Sequence, residues 1–254
     1  MMNKKAFVTG GSRGIGAGVA AVLAESGYDV AFTYNTEAGE AEKTAAIIRS
    51  CGRACFYYQA SLEQPGVAED VTARAAGDLK GIDLLVCNAG VTRHNDLLTL
   101  TGDFMDFLYH LNYRSYLMCA KVAANDMVAR GAGGNIIFVA STRGLRAYPE
   151  DAVYGGLKAA LIRSTESLAL CMAKHNVRVN CVAPGATAIR GGFSAEELRA
   201  NKMAAKIPLG RLGSPREVGY LIRFIASEEA AYMTGNTVKL DGGLILPGTP
   251  EKWD

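Results

Sequence analysis

Several familiar features are missing from this 254-residue chain, and each absence narrows what it can be. Lys plus Arg (27) nearly balance Asp plus Glu (25), for a formal net charge of +2. That balance gives no electrostatic footprint for nucleic acid or for an anionic membrane. No apolar run reaches the roughly 18 residues that a membrane-crossing helix needs. The start, Met1-Met2-Asn3-Lys4-Lys5, runs directly into a strand-like segment, without the apolar core of a secretion signal. The six cysteines (Cys51, Cys55, Cys87, Cys119, Cys171 and Cys181) are scattered, mostly in apolar segments, with no metal-ligand spacing. The three histidines, His94, His110 and His175, form no metal set. These absences read as buried, reduced thiols in a cytoplasmic protein without a metal. No linker-like or low-complexity stretch divides the chain, so residues 1–254 read as one domain.

What is present is an alternation of strand and helix. Apolar runs at Lys5–Gly10, Asp29–Asn35, Ala54–Gln59, Ile82–Cys87, Asn135–Ser141, Val177–Ala183 and Asn236–Leu240 read as strands. Between them, Ile15–Gly27, Glu37–Cys51, a segment after Pro65, about 102–130, Ala152–Lys174 and Pro215–Ser227 read as helices. Strands alternating with helices predict an α/β fold, a doubly wound parallel sheet of about seven strands with helices on both faces. Ligands of such sheets sit outside the carboxyl ends of the strands. Four short motifs fall there: the loop Thr9-Gly10-Gly11-Ser12-Arg13-Gly14-Ile15-Gly16, then Asn88-Ala89-Gly90, Ser141, and Pro184-Gly185.

Two of these features carry chemistry. The glycine loop joins a strand to a helix, where bare backbone can approach a phosphate and the helix N-terminus offers unpaired N–H groups. Downstream, Tyr154 and Lys158 are four residues apart, on one face of a helix. A cation near a phenol favours phenolate, so the spacing predicts that Lys158 lowers the Tyr154 pKa toward neutrality. Asp151 is placed to cap that helix, with Tyr154 in its first turn. Gly155 and Gly156 weaken the helix and are expected to leave room for another backbone or a ligand.

In this order and register, the glycine loop, Asn88-Ala89-Gly90, Asn112, Ser141, Tyr154, Lys158 and Pro184-Gly185 resemble the short-chain dehydrogenase/reductase family. Within it, the 3-oxoacyl-(acyl carrier protein) reductases are the most similar in kind. The resemblance covers nearly the whole chain. It implies one Rossmann-type domain, an NAD or NADP cofactor, and hydride transfer between the nicotinamide and a small-molecule or carrier-linked carbonyl. It also implies a cytoplasmic homotetramer or homodimer, assembled through the helices around Tyr113–Arg130 and Ala152–Lys174. Tyr154 becomes the proton donor, Lys158 its electrostatic partner and a ligand of the nicotinamide ribose. Ser141 orients the substrate oxygen, and Asn112 supports a water-linked relay to Lys158.

Cofactor contacts follow from the same motifs. Gly10, Ser12, Arg13, Gly14, Ile15 and Gly16 would hold the phosphates, Tyr34 and Asn35 the adenosine ribose, and Ser61 and Leu62 the adenine. Asn88, Ala89 and Gly90 would line the middle of the cleft. Tyr154, Lys158, Pro184, Gly185 and Thr187 would hold the nicotinamide half. The second strand ends Thr33-Tyr34-Asn35-Thr36, with no acid to bind a ribose 2′-hydroxyl. Arg13 could pair with a 2′-phosphate. NADP(H) is therefore preferred and NAD(H) stays possible, because Glu37 could act as the acid.

The chain departs from the family pattern in four places. Ser61 stands where relatives usually carry Asp, and Leu157 where they often carry Ser. Thr187 comes earlier than the usual carboxamide ligand, and Ile189 occupies that ligand's usual place. Arg93, Arg143, Arg146 and Arg190 fall on loops at the cleft mouth. They either attract an anionic substrate or pair with neighbours such as Glu150 and Asp151. By resemblance, 186–206 is a lid. Two alternatives remain open: an alcohol, sugar or hydroxysteroid dehydrogenase acting oxidatively, and a non-catalytic NADP-binding regulator on the same fold.

Overall fold

The structure, a computed structural model, describes residues 4–190 and 194–246. Seven parallel strands form one sheet: β1 (Lys4–Val8), β2 (Tyr28–Tyr34), β3 (Cys55–Gln59), β4 (Leu84–Cys87), β5 (Gly134–Val139), β6 (Val177–Pro184) and β7 (Thr237–Leu240). Their order across the sheet is β3-β2-β1-β4-β5-β6-β7. The chain therefore moves outward from β1 to β3, then returns to place β4 on the other side of β1. That reversal opens a crevice above the carboxyl ends of β1 and β4, where ligands of such sheets bind.

Alternation along each strand sends side chains to two separate cores. In β4, Leu84 and Val86 join the core under α1 (Gly14–Glu25), α2 (Ala38–Ser50) and α8 (Pro215–Ile225). Leu85 and Cys87 join the core under α3 (Val67–Leu79), α5 (Ser115–Arg130) and α6 (Ala152–Met172). The seven parallel strands and the helices on both faces are those the alternation predicts. Element ends differ by at most two residues, as helix and strand ends fray. No helix among the described residues is long and apolar enough to cross a membrane. All six cysteines are free thiols; Cys87, Cys119 and Cys181 are buried as expected, but Cys171 is exposed on α6.

One expected element is more complex than its sequence suggests. The stretch 102–130 reads as a single helix, but α4 (Gly102–Tyr109) passes into a π-helical turn, His110–Arg114, before α5 begins. Such turns are rare and concentrate at functional sites. This one carries Asn112, which is fully buried.

Candidate active site

At the nucleotide end, β1 closes into a loop held by side chains that the glycine pattern alone does not reveal. Thr33 Oγ1 accepts the Gly10 N–H at 2.9 Å, and the Gly11 N–H donates to the Thr33 carbonyl at 2.8 Å. Thr9 Oγ1 accepts the N–H groups of Asn88 and Ala89 at 2.9 and 3.0 Å. Asn88 Nδ2 donates to the carbonyls of Thr9 and Gly10, at 3.0 and 3.1 Å. Asn88-Ala89-Gly90 is thus stitched to the glycine loop. A Cβ on Gly16 would lie 2.0 Å from the Gly10 carbonyl oxygen, so the first turn of α1 packs directly on the loop backbone. Gly16 serves that packing and does not line the cleft.

A cleft of about 580 Å³ opens over these groups. Gly10, Ser12, Arg13, Gly14 and Ile15 line one end; Tyr34, Asn35 and Leu62 form its wall; Asn88, Ala89, Gly90, Asn112, Tyr154 and Lys158 line its depth. The donor set suits a dinucleotide. The first turn of α1 carries no acid, Arg13 stands at its N-cap, and the helix start presents free N–H groups to the cleft. Glu37, the N-cap residue of α2, lines the same wall. Ser61 does not line the cleft; its hydroxyl donates to Asn35 Oδ1 at 3.2 Å and fixes the neighbour that does. Pro184, Gly185 and Thr187 also stand off the cleft lining. The Thr187 hydroxyl turns back onto the Gly185 carbonyl at 3.3 Å.

Tyr154 and Lys158 both point inward from α6, and their environments differ from the sequence expectation. Tyr154 is 8% exposed. Burial raises its pKa, opposed by hydrogen bonds from the Thr92 and Ser141 side chains; Asp151 adds to the rise and Arg143 opposes it. The predicted lowering by Lys158 is therefore not what the structure gives. The Lys158 Nζ lies 5.7 Å from the Tyr154 ring centroid and donates elsewhere, to the Val139 carbonyl at 3.0 Å and the Tyr116 hydroxyl at 3.3 Å. Burial also pulls the Lys158 pKa down to about 8, weakening it as a source of positive charge. Spacing placed both groups on one face, but it carried no information about desolvation.

Ser141 caps a short 3₁₀ turn, Thr142–Gly144, and its Oγ accepts the Arg143 N–H at 3.2 Å. Asn112 Nδ2 donates to the Val91 and Leu108 carbonyls, each at 3.3 Å, while its Oδ1 is buried without a partner. Its side chain thus pins the loop after Asn88-Ala89-Gly90. Thr92, on that loop, is a site residue that sequence reasoning missed, since a single threonine in a loop carries no pattern.

Asp151 occupies the N-cap position of α6, but its side chain caps nothing. Its buried carboxylate lies 2.9 Å from Arg143 Nη1 and 3.4 Å from His94 Nδ1, tying three segments together beside Tyr154. Gly155 permits this, because a Cβ there would lie 2.9 Å from the Arg143 carbonyl and 3.2 Å from Asp151 Oδ2. Gly156 has open space around it, so close approach does not explain that glycine. Other rim arginines are engaged too. Arg143 also stacks on Tyr148 at 4.6 Å, Arg93 covers Phe107 at 4.6 Å, and Arg146 donates to the Leu244 carbonyl at 3.1 Å. Arg190, like Arg93, lines the cleft. Within 186–206, expected from the resemblance to be a lid, Ser194 and Glu197 form a capping box at α7 (Ala195–Ala200); residues 191–193 lie outside the described residues.

A parallel sheet with a glycine loop at its switch point, and an inward tyrosine and lysine beside a strand-end serine, defines a nucleotide-dependent oxidoreductase of the Rossmann type. The chain belongs to the short-chain dehydrogenase/reductase family: a family model described as enoyl-(acyl carrier protein) reductase matches residues 10–245. Its relatives include the L-rhamnose 1-dehydrogenase (NAD(P)(+)) of Sphingomonas sp. strain SKA58, 33% identical over 245 residues covering 96% of each chain. The 3-oxoacyl-[acyl-carrier-protein] reductase of Staphylococcus aureus is also 33% identical, over 96% of this chain and 99% of that one. Among solved structures, acetoin dehydrogenase from Salmonella typhimurium superposes with a TM-score of 0.94 at 29% identity, covering 99% of both chains. The protein is accordingly an NAD(P)-dependent oxidoreductase acting on CH–OH or C=O groups.

Proposed function

We propose that the chain reduces a ketone, on a small molecule or a carrier-linked 3-oxoacyl group, to a secondary alcohol with NADPH. The observation that carries this reading is Tyr154: a buried phenol, its pKa raised by burial, that faces Thr92 and Ser141 and lines the same cleft as the glycine loop. A protonated phenol is the proton donor that ketone reduction uses, and the same group in its phenolate form would accept the proton in the reverse reaction. A nicotinamide nucleotide held in this cleft would supply the hydride. Ser141 and Thr92 orient the substrate oxygen toward the Tyr154 hydroxyl. Lys158 holds the ribose side of the cleft, and Asn112 keeps the loop carrying Thr92 in place.

The 2′-phosphate preference rests on Arg13 at the mouth of α1, with the uncharged Asn35 held in place by Ser61. Glu37 is the opposing charge. Association into dimers or tetramers through α5 and α6 belongs to the same proposal. Turnover with NADPH and with NADH against a carbonyl panel tests the reading. The panel should include a 3-oxoacyl thioester, an α-hydroxyketone and a steroid ketone. NADPH is expected to give at least about tenfold higher kcat/KM, the value of one well-placed charge contact. Equal efficiency with NADH would assign Glu37, not Arg13, as the dominant neighbour of the ribose.

A further inference from the structure

The geometry points to Tyr116 as a positioning residue for Lys158: its buried hydroxyl takes one of the ammonium's hydrogen bonds and fixes where that charge stands in the cleft. This inference rests on the role proposed for Lys158. Tyr116 lies in the first turn of α5, directly after the π turn, and is 1% exposed. It is four residues beyond Asn112, on the same inward face. Its ring packs at 49° against Phe138, with centroids 5.9 Å apart. Its hydroxyl donates to the Val139 carbonyl at 3.4 Å and accepts from Lys158 Nζ at 3.3 Å. Nζ also donates to that carbonyl at 3.0 Å and lies 4.8 Å from the Tyr116 ring centroid. Hydroxyl, carbonyl and ammonium therefore form a closed triangle at the end of β5.

The triangle matters because of what else faces Lys158. From β4 comes Cys87, from β6 Cys181, from α5 Tyr116, and from its own helix Tyr154. Burial pushes the two thiols and both phenols up, Cys181 to about 11, so all four are neutral at physiological pH. Among the described residues, those the structure sets against Nζ include no carboxylate. The ammonium is sustained by two neutral oxygens, and one of them is a side chain that a single substitution removes. With one acceptor gone, a buried lysine loses its proton more readily. A mobile or neutral lysine would serve the cleft less well, while a ring of the same size would still fill the core.

Tyr116→Phe tests this, with Tyr113→Phe as the matched hydroxyl deletion. Tyr113, in the preceding turn, bonds Ser164 at 3.0 Å, away from the cleft. The primary readout is the titration of Lys158, followed by NMR of 13Cε/15Nζ-labelled lysine and assigned with Lys158→Arg; it needs no turnover. Tyr116→Phe is expected to move that titration down by about one unit, the tenfold weight of one hydrogen bond to a charged group. At pH 8 the ammonium fraction then falls from about one-half to about one-tenth, and kcat drops roughly fivefold with KM for the carbonyl within about twofold. Tyr113→Phe should move neither quantity. An unchanged Lys158 titration in Tyr116→Phe would overturn the inference, and so would a shifted titration with unchanged kcat at pH 8. A wild-type protein with no turnover would sink the functional reading, while the titration still judged the anchoring.

Discussion

The two ends of the cleft are built from different materials. At the nucleotide end, the loop after β1 is fixed by main-chain groups of Gly10, Gly11, Asn88 and Ala89, closed by Thr9, Thr33 and the Asn88 amide. At the carbonyl end, the working parts are side chains: Tyr154 against Ser141 and Thr92, and Asp151 between Arg143 and His94. Backbone construction leaves no space for an added side chain and so is intolerant of substitution. Side-chain construction is set by burial and charge, which single substitutions tune rather than destroy.

The sharpest way to break this comparison is a side chain at Gly16. Its Cβ would stand 2.0 Å from the Gly10 oxygen and 2.6 Å from Asn88 Nδ2, and a carbonyl held in a hydrogen-bonded loop has little freedom to yield. Gly16→Val is expected to lower stability by more than about 3 kcal/mol and to abolish NADPH-induced thermal stabilisation. A variant that folds and binds NADPH normally would show that the loop is far softer than its packing.

The carbonyl end should respond in the opposite sense at Lys158. Its folded pKa, about 8, is depressed below the value near 10.4 of an unfolded lysine. The unfolded state thus binds more protons, so this group destabilises the fold fully below about pH 8, and the penalty fades as pH rises toward 10.4. Lys158→Met removes a cost of up to about 3 kcal/mol at neutral pH and should raise Tm by several degrees while turnover collapses. Its advantage in stability should shrink between pH 8 and 10 in chemical denaturation. A loss of stability at pH 7 would contradict the desolvation account.

Smaller effects are expected at the rim. Asp151→Asn leaves Arg143 and His94 without their shared carboxylate. It should cost about 1–2 kcal/mol by denaturant titration and reduce kcat less than tenfold, because Tyr154 keeps Ser141 and Thr92. Smallest of all is the salt effect. Arg143, Arg93 and Arg146 are engaged within the chain, so KM for an anionic carbonyl should change less than about twofold between low and high salt. A steep rise in KM would instead mark Arg190 and its neighbours as a charge-attracting mouth.

This division also explains what could be read from the sequence. The strands, both helix layers and the glycine loop follow from periodicity and from where only glycine fits, which a sequence records directly; the order of the strands across the sheet does not. Tyr154, Lys158 and Asn112 line the cleft, with Ser141 beside Tyr154, because strand ends and helix faces place them there. Burial is the missing variable elsewhere. It reverses the expected shift of Tyr154, and three-dimensional packing alone brings Thr92 to Tyr154 and Tyr116 to Lys158. It is also why Asp151 serves Arg143 rather than its helix. The π turn at His110–Arg114 leaves no mark in the apolar pattern of 102–130, which continues through it.

The most direct test of the central claim is the pH dependence of ketone reduction at saturating NADPH, for the native chain and for Tyr154→Phe. A protonated, buried phenol as donor predicts a rate that stays level from about pH 6 to 7.5 and falls as Lys158 loses its proton near 8. Tyr154→Phe should lower that rate by roughly a thousandfold with NADPH affinity unchanged. A rate that climbs with pH across neutrality, or a Tyr154→Phe variant with full turnover, would contradict it.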